Sequence, residues 1–199
     1  MYSVPDLKSL LSEPPAMAQL PGQADNRLSD DSRVFLACWN RWRGTRLLPR
    51  RADMDITSIA RLMPRILLLE ISGPDRMVFR LAGTEIEQHL GRRLQGHDYL
   101  AMVAPDRQPR RAMLMWRIVN QPCAAMNTYR ITEPNGEQRQ IQICGAPILA
   151  DEPDAPIQWL AVVSNLRRLG WGEAGSAFDP SATRLHLIDI GAGLPQLGS

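Results

Sequence analysis

The chain has 199 residues, of which 44% are apolar and 22% charged, a composition typical of one globular domain with a buried core. Its formal net charge of +2 is too small to indicate nucleic-acid or membrane binding. Three cysteines, Cys38, Cys123 and Cys144, form no CxxC pair, which argues against a disulfide framework or a structural zinc site. We therefore predict no metal site and expect all three thiols to be reduced and structurally passive.

The N-terminal sequence has no basic segment followed by an apolar stretch, and the chain has no apolar run of about 18 residues. These patterns predict a cytoplasmic protein without a membrane span. Residues 1–28 contain several prolines, which prevent a long helix. We interpret this segment as a loose leader.

Residues 29–64 are predicted to form N-terminal flanking helices. A cluster of helix-capping residues at 29–32 begins the first helix, and Gly44 ends it. A second short helix is predicted from Asp55 to before Pro64. The first helix carries an aromatic stripe at helical spacing, formed by Phe35, Trp39 and Trp42. Three such side chains bury on the order of 500 Å² and gain roughly 12 kcal/mol before entropy costs. We therefore predict that the stripe packs on the sheet, on the second protomer of a homodimer, or on both.

Residues 65–168 change to the two-residue period of strands and are predicted to form the core of the domain. The Asn135-Gly136 pair predicts a hairpin turn, because both residue types tolerate positive φ. Residues 169–199 are predicted to form a tail with one strand-like segment at 185–190. The predicted elements, in chain order, are two strands (66–71, 77–81), a short helix capped by Thr84 (84–90), a longer helix (106–120) and three strands (124–132, 138–149, 157–163). This order indicates an α+β fold.

The same order of elements resembles that of PAS domains, and one bacterial group of stand-alone PAS-like proteins in particular. The residues that carry the resemblance include Trp39, Arg43-Gly44, the run from Phe79 to Thr84, Gly91 and Gly96. The resemblance implies a five-stranded antiparallel sheet with helices between strands 2 and 3, plus an N-terminal flanking helix. It also implies an internal cavity for a small molecule, a homodimer, and a regulatory protein partner in signal transduction.

We predict that the cavity lies between the sheet and residues 83–115. Its candidate lining residues are Leu68, Phe79, Arg80, Leu81, Ile86, Leu90, Tyr99, Met115, Ile143 and Trp159. Alternation decides which residues share a face but not which face is inner. Arg80 therefore has two interpretations: it clamps a carboxylate or phosphate of the ligand, or it faces water.

The sequence leaves the identity of any cofactor open. His89 and His97 are candidate axial ligands of a haem, because both lie in the predicted helical segment. The arginines at 107, 110 and 111 either bind phosphates or form a solvated face. None of the common catalytic motifs occurs. We therefore predict a sensor or adaptor domain, with a haem- or cofactor-dependent small enzyme as the alternative.

Overall fold

The structure is a computed structural model that describes residues 27–172, 177–179 and 185–196. The predicted leader lies almost entirely outside these residues. The described part is a mixed α+β domain, in which one antiparallel sheet separates an N-terminal helix from two later helices. Short 3-10 helices connect the main elements at Arg51–Asp53, Ile56–Arg65, Leu100–Met102 and Pro105–Arg107.

The N-terminal helix, α1 (Asp30–Arg43), begins where the capping cluster predicts it. The Ser29 hydroxyl accepts a hydrogen bond from the Ser32 amide, and Gly44 ends the helix with a φ of 58°. Leu28 is buried, so the last residue of the predicted leader belongs to the packed domain.

The aromatic stripe of α1 is buried inside its own domain. Phe35 and Trp39 have no exposed surface, and Trp42 is 6% exposed. The Trp39 indole N–H donates a hydrogen bond to the Pro147 carbonyl at 3.0 Å. The expectation that these three side chains form a dimer interface is therefore corrected, because α1 packs on strands of the same chain and leaves the stripe no surface for a partner.

The core strands are β1 (Ile66–Gly73), β2 (Arg76–Ala82), β3 (Cys123–Thr132), β4 (Glu137–Ile148) and β5 (Gln158–Trp171). They lie in the order β2-β1-β5-β4-β3, and neighbouring strands are antiparallel. Two further strands, β6 (Ala177–Asp179) and β7 (His186–Asp189), pair with β3. The sheet is therefore six strands wide instead of five, because the segment predicted as a tail adds strands at its edge.

The helical middle contains α2 (Thr84–Leu90) and α3 (Gln108–Asn120). The capping residue of α2 is Gly83, without a side-chain hydrogen bond, so the predicted cap by Thr84 is wrong. Gly91 ends α2 in the left-handed conformation, with a φ of 64°. The second helix, α3, contacts β1 and β3, on the face of the sheet opposite α1.

A bulge in β2 changes which side chains share a face. Leu69 pairs with Phe79, and the preceding residue Leu68 pairs with Leu81, so Arg80 is an extra residue without a partner in β1. Because one extra residue reverses the alternation, Phe79 and Leu81 lie on opposite faces of the sheet. The rule of simple alternation places them on one face.

The C-terminal segment is anchored to both layers of the domain. β7 pairs with β3 over four residues, and Ile190 is fully buried. The buried Arg43 guanidinium of α1 donates a hydrogen bond to the Ile190 carbonyl at 2.9 Å and lies 5.4 Å from the centre of the Trp39 ring. Residues 185–190 are therefore an integral part of the fold.

Candidate ligand cavity

An internal cavity of about 90 Å³ lies between the sheet and the helices α2 and α3. This is larger than the roughly 10–15 Å³ that one water molecule needs. Leu67 and Leu69 of β1 line it, as do alternate residues of β3 and β4. Seven of the ten predicted candidates line this cavity: Phe79, Ile86, Leu90, Tyr99, Met115, Ile143 and Trp159.

The other three candidates lie elsewhere: Leu68 alternates with Leu67 and Leu69 in β1, and Arg80 and Leu81 are positioned by the bulge in β2. Leu68 and Leu81 face the opposite side of the sheet, where they line a second pocket of about 240 Å³ beside the 3-10 helix Ile56–Arg65. That pocket also includes Arg51 and the largely exposed Ile56, so it reaches the surface of the domain.

Arg80 lies on the surface and pairs with a carboxylate of its own hairpin. Its Nε and Nη2 atoms donate to the two oxygens of Glu70 at 2.9 and 2.7 Å. Hydrogen bonding to Glu70 raises the pKa of Arg80. The expectation that Arg80 lines the cavity is corrected, since its position in the bulge turns the side chain toward water.

A different arginine, Arg111, lies at the cavity, at a position where the sequence allowed a solvated face. Arg111 of α3 is part-buried, and its Nη1 donates to the Tyr129 hydroxyl at 2.9 Å. The guanidinium carbon lies 5.7 Å from the centre of the Tyr129 ring. Burial raises the pKa of both Tyr99 and Tyr129, so their hydroxyls stay protonated at neutral pH.

Asn127 is the other polar residue on the cavity face of β3. Its side chain follows Ala125 and precedes Tyr129 in the alternation of the strand, and all three line the cavity. Asn127 is 9% exposed, and its Oδ1 atom has no hydrogen-bond partner among the described residues. Such an atom costs about 1–3 kcal/mol unless water or a ligand satisfies it.

The two histidines proposed as haem ligands have different positions. His89 lines the cavity, but its Nδ1 lies 2.9 Å from Glu133 Oε1 and its Nε2 lies 3.5 Å from Asn165 Nδ2. His97 does not line the cavity; its backbone carbonyl accepts a hydrogen bond from the Phe79 amide. Within the described ranges, no group of three or more His, Cys, Asp or Glu side chains could hold a metal ion.

The position of Trp159 over the cavity depends on a glycine in the neighbouring strand. A Cβ atom on Gly145 would lie 2.4 Å from the Trp159 indole nitrogen and 2.7 Å from the Ala161 Cβ. Because such distances are too short for non-bonded atoms, Gly145 provides the space that the indole occupies.

A family model described as PAS domain matches residues 28–163, about two thirds of the chain. The chain belongs to the PAS domain family. A PAS domain of this family is a sensor domain in signalling, and such domains are in general not enzymes. A search of curated proteins found no match to this PAS domain. None of the helices that the structure describes combines the length and the apolar character needed to span a membrane.

Proposed function

We propose that this PAS domain senses a small molecule, which it binds in the cavity between the sheet and the helices α2 and α3. The observation that carries the proposal is the combination of an apolar lining with a buried polar atom, Asn127 Oδ1, that has no hydrogen-bond partner among the described residues. Ligand sites in proteins typically have this composition, with a few polar groups that orient the ligand in a mostly apolar pocket.

The cost of the empty cavity supports the same proposal. A void of about 90 Å³ costs roughly 2 kcal/mol relative to a filled core. The unpaired Asn127 Oδ1 adds a further cost of about 1–3 kcal/mol. A bound molecule that fills the void and donates to Asn127 recovers both contributions, so occupancy stabilises the domain.

The proposal includes a regulatory protein partner, on which the occupied domain acts in the bacterial cytoplasm, and a homodimer. The contact surface of that homodimer has to exclude the aromatic stripe of α1, since those side chains are already buried. Sensing is favoured over the enzyme alternative, because the cavity histidine is held by Glu133 and Asn165 instead of facing an open coordination site.

Native mass spectrometry of the freshly purified full chain tests the proposal, because it reports the ligand mass and the oligomeric state together. We expect a bound small molecule that is lost in Ala125→Leu, a variant that adds volume to the cavity wall. Thr128→Val is the matched control, since Thr128 lies on the other face of β3. A small molecule retained equally in both variants would contradict the proposed location, and wild-type protein that binds no small molecule would contradict sensing.

A further inference from the structure

Arg111 is a part-buried arginine that lines the cavity and has no acidic partner among the described residues. Arg46 pairs with Asp53, and Arg139 pairs with Glu133 and Glu137. None of the ion pairs among the described residues includes Arg111, whose hydrogen bond goes to the neutral Tyr129 hydroxyl. The charge of Arg111 is therefore not neutralised within the described part of the chain.

A part-buried guanidinium without an acidic partner favours the binding of an anion. Removing a charge from water is costly unless an opposite charge or several hydrogen bonds replace the water. Arg111 has five N–H donors in a planar fork that matches the two oxygens of a carboxylate. The protonated hydroxyls of Tyr99 and Tyr129 beside it supply hydrogen bonds but no negative charge.

Asn127 supplies a second, independent indication of a ligand. Its Oδ1 atom is buried at the same cavity and has no donor among the described residues. A ligand that satisfies this oxygen carries a hydroxyl or an N–H group. The rest of the lining is mostly apolar, including Leu67, Phe79 and Ile141, so the body of the ligand is apolar.

We propose that the cavity binds a small organic monocarboxylic acid with an apolar body, whose carboxylate pairs with Arg111 and whose hydroxyl or N–H donates to Asn127. The inference rests on the proposed sensor function and specifies the chemical class of its ligand. A carboxylate is favoured over a phosphate monoester, which carries about −1.5 to −2 charges at neutral pH. Among the described residues, Arg111 is the single arginine or lysine in the lining, so it can balance one negative charge.

The test compares acids with their uncharged amides on the full chain by isothermal titration calorimetry. The probes are 4-hydroxyphenylacetate with 4-hydroxyphenylacetamide, and indole-3-acetate with indole-3-acetamide, because each pair differs only at the carboxylate. We expect at least one acid to bind about tenfold or more tightly than its amide. In Arg111→Met this preference disappears, because the acid loses an ion pair that the amide does not make, and an unchanged circular dichroism spectrum shows that the variant is folded.

Arg110→Met is the matched control, because Arg110 is the exposed neighbour of Arg111 on α3 and should keep the preference for the acid. Asn127→Leu should weaken the acid and the amide of a pair equally. Equal binding of acid and amide, or a preference that survives in Arg111→Met, would overturn the inference. If Ala125→Leu abolishes such equal binding, the cavity still binds small molecules and only the ligand class is wrong. If neither member of either pair binds and the purified protein carries no ligand, both proposals fail.

Discussion

Replacing Gly83 with alanine tests the packing of the run from Phe79 to Thr84, one of the segments that carry the resemblance to PAS domains. Gly83 has a φ of −68° and a ψ of 155°, values that any residue adopts, so conformational freedom does not explain the glycine. Its amide donates to the Ile66 carbonyl at 2.8 Å, which holds the end of β2 against the start of β1. A Cβ atom here would lie 2.2 Å from the Pro64 carbonyl oxygen and 2.5 Å from that of Met63.

The structure gives the size of the expected effect. Both clashing atoms belong to the backbone, so no side-chain rotation relieves them, and the two segments have to separate by about 1 Å. Overpacking of this kind costs about 1–3 kcal/mol, and the rigid contacts favour the upper half of that range. We expect Gly83→Ala to lower the free energy of unfolding by about 2–3 kcal/mol, equivalent to a fall in Tm of roughly 4–12 °C.

Urea unfolding followed by circular dichroism measures the difference, with Gly73→Ala as the matched control. A Cβ on Gly73 would meet only the flexible carboxylate of Asp75, at 3.0 Å, so its effect should stay within about 0.5 kcal/mol. Two variants of equal stability would refute the argument that Gly83 is required for close backbone approach.

Three further predictions concern α1, the buried ionisable side chains and the C-terminal segment. Trp39→Ala should lower the free energy of unfolding by about 3–5 kcal/mol and leave the mass of the folded assembly unchanged in light scattering, since Trp39 is buried within its own chain; a folded variant of half the mass would contradict the packing. Burial raises the pKa of the Cys123 and Cys144 thiols from 9.0 to about 12. Because the thiols of the unfolded chain ionise first, their contribution to the free energy of unfolding is complete below pH 9 and is lost as the pH rises toward 12. Urea midpoints measured from pH 8 to 11 should therefore fall, and a constant midpoint would contradict the burial. A chain ending at residue 172 should unfold at lower urea, because it loses β7 and the burial of Ile190, which alone contributes about 1.5–3 kcal/mol; an unchanged midpoint would show that the segment is dispensable.

Local signals in the sequence were sufficient for most of the fold. The capping cluster gives the first residue of α1, and the Asn135-Gly136 pair gives the turn between β3 and β4. These signals act within a few residues, and tertiary contacts do not override them. The order of strands and helices then leads to the PAS arrangement, which the family match confirms.

The faces of the strands were less predictable, because they depend on pairing between distant residues. The bulge at Arg80 carries no mark in the sequence of β2, and it appears only when β2 is paired with β1. The sixth strand position of the sheet also depends on distant residues, because β7 pairs with β3, which lies more than 50 residues earlier in the chain.

The polar residues of the cavity were missed for a different reason. Arg111 is close in sequence to Arg107 and Arg110, and a cluster of arginines usually forms a solvated face. A helical signal was nevertheless present, since Arg111, Met115 and Ile118 recur at helical spacing and all three line the cavity. Asn127 likewise alternates with Ala125 and Tyr129 on one face of β3.

The bulge at Arg80 has a consequence for how homologous domains diverge. A single deleted codon at this position removes the unpaired residue and leaves the lining of both compartments unchanged. In a homologue that lacks the extra residue, the counterparts of Phe79 and Leu81 are consecutive, so regular alternation still places them on opposite faces, paired with the counterparts of Leu69 and Leu68. The length of β2 can thus vary by one residue without changing the ligand cavity, and an alignment that matches Arg80 to the counterpart of Leu81 would assign the wrong residue to the second pocket.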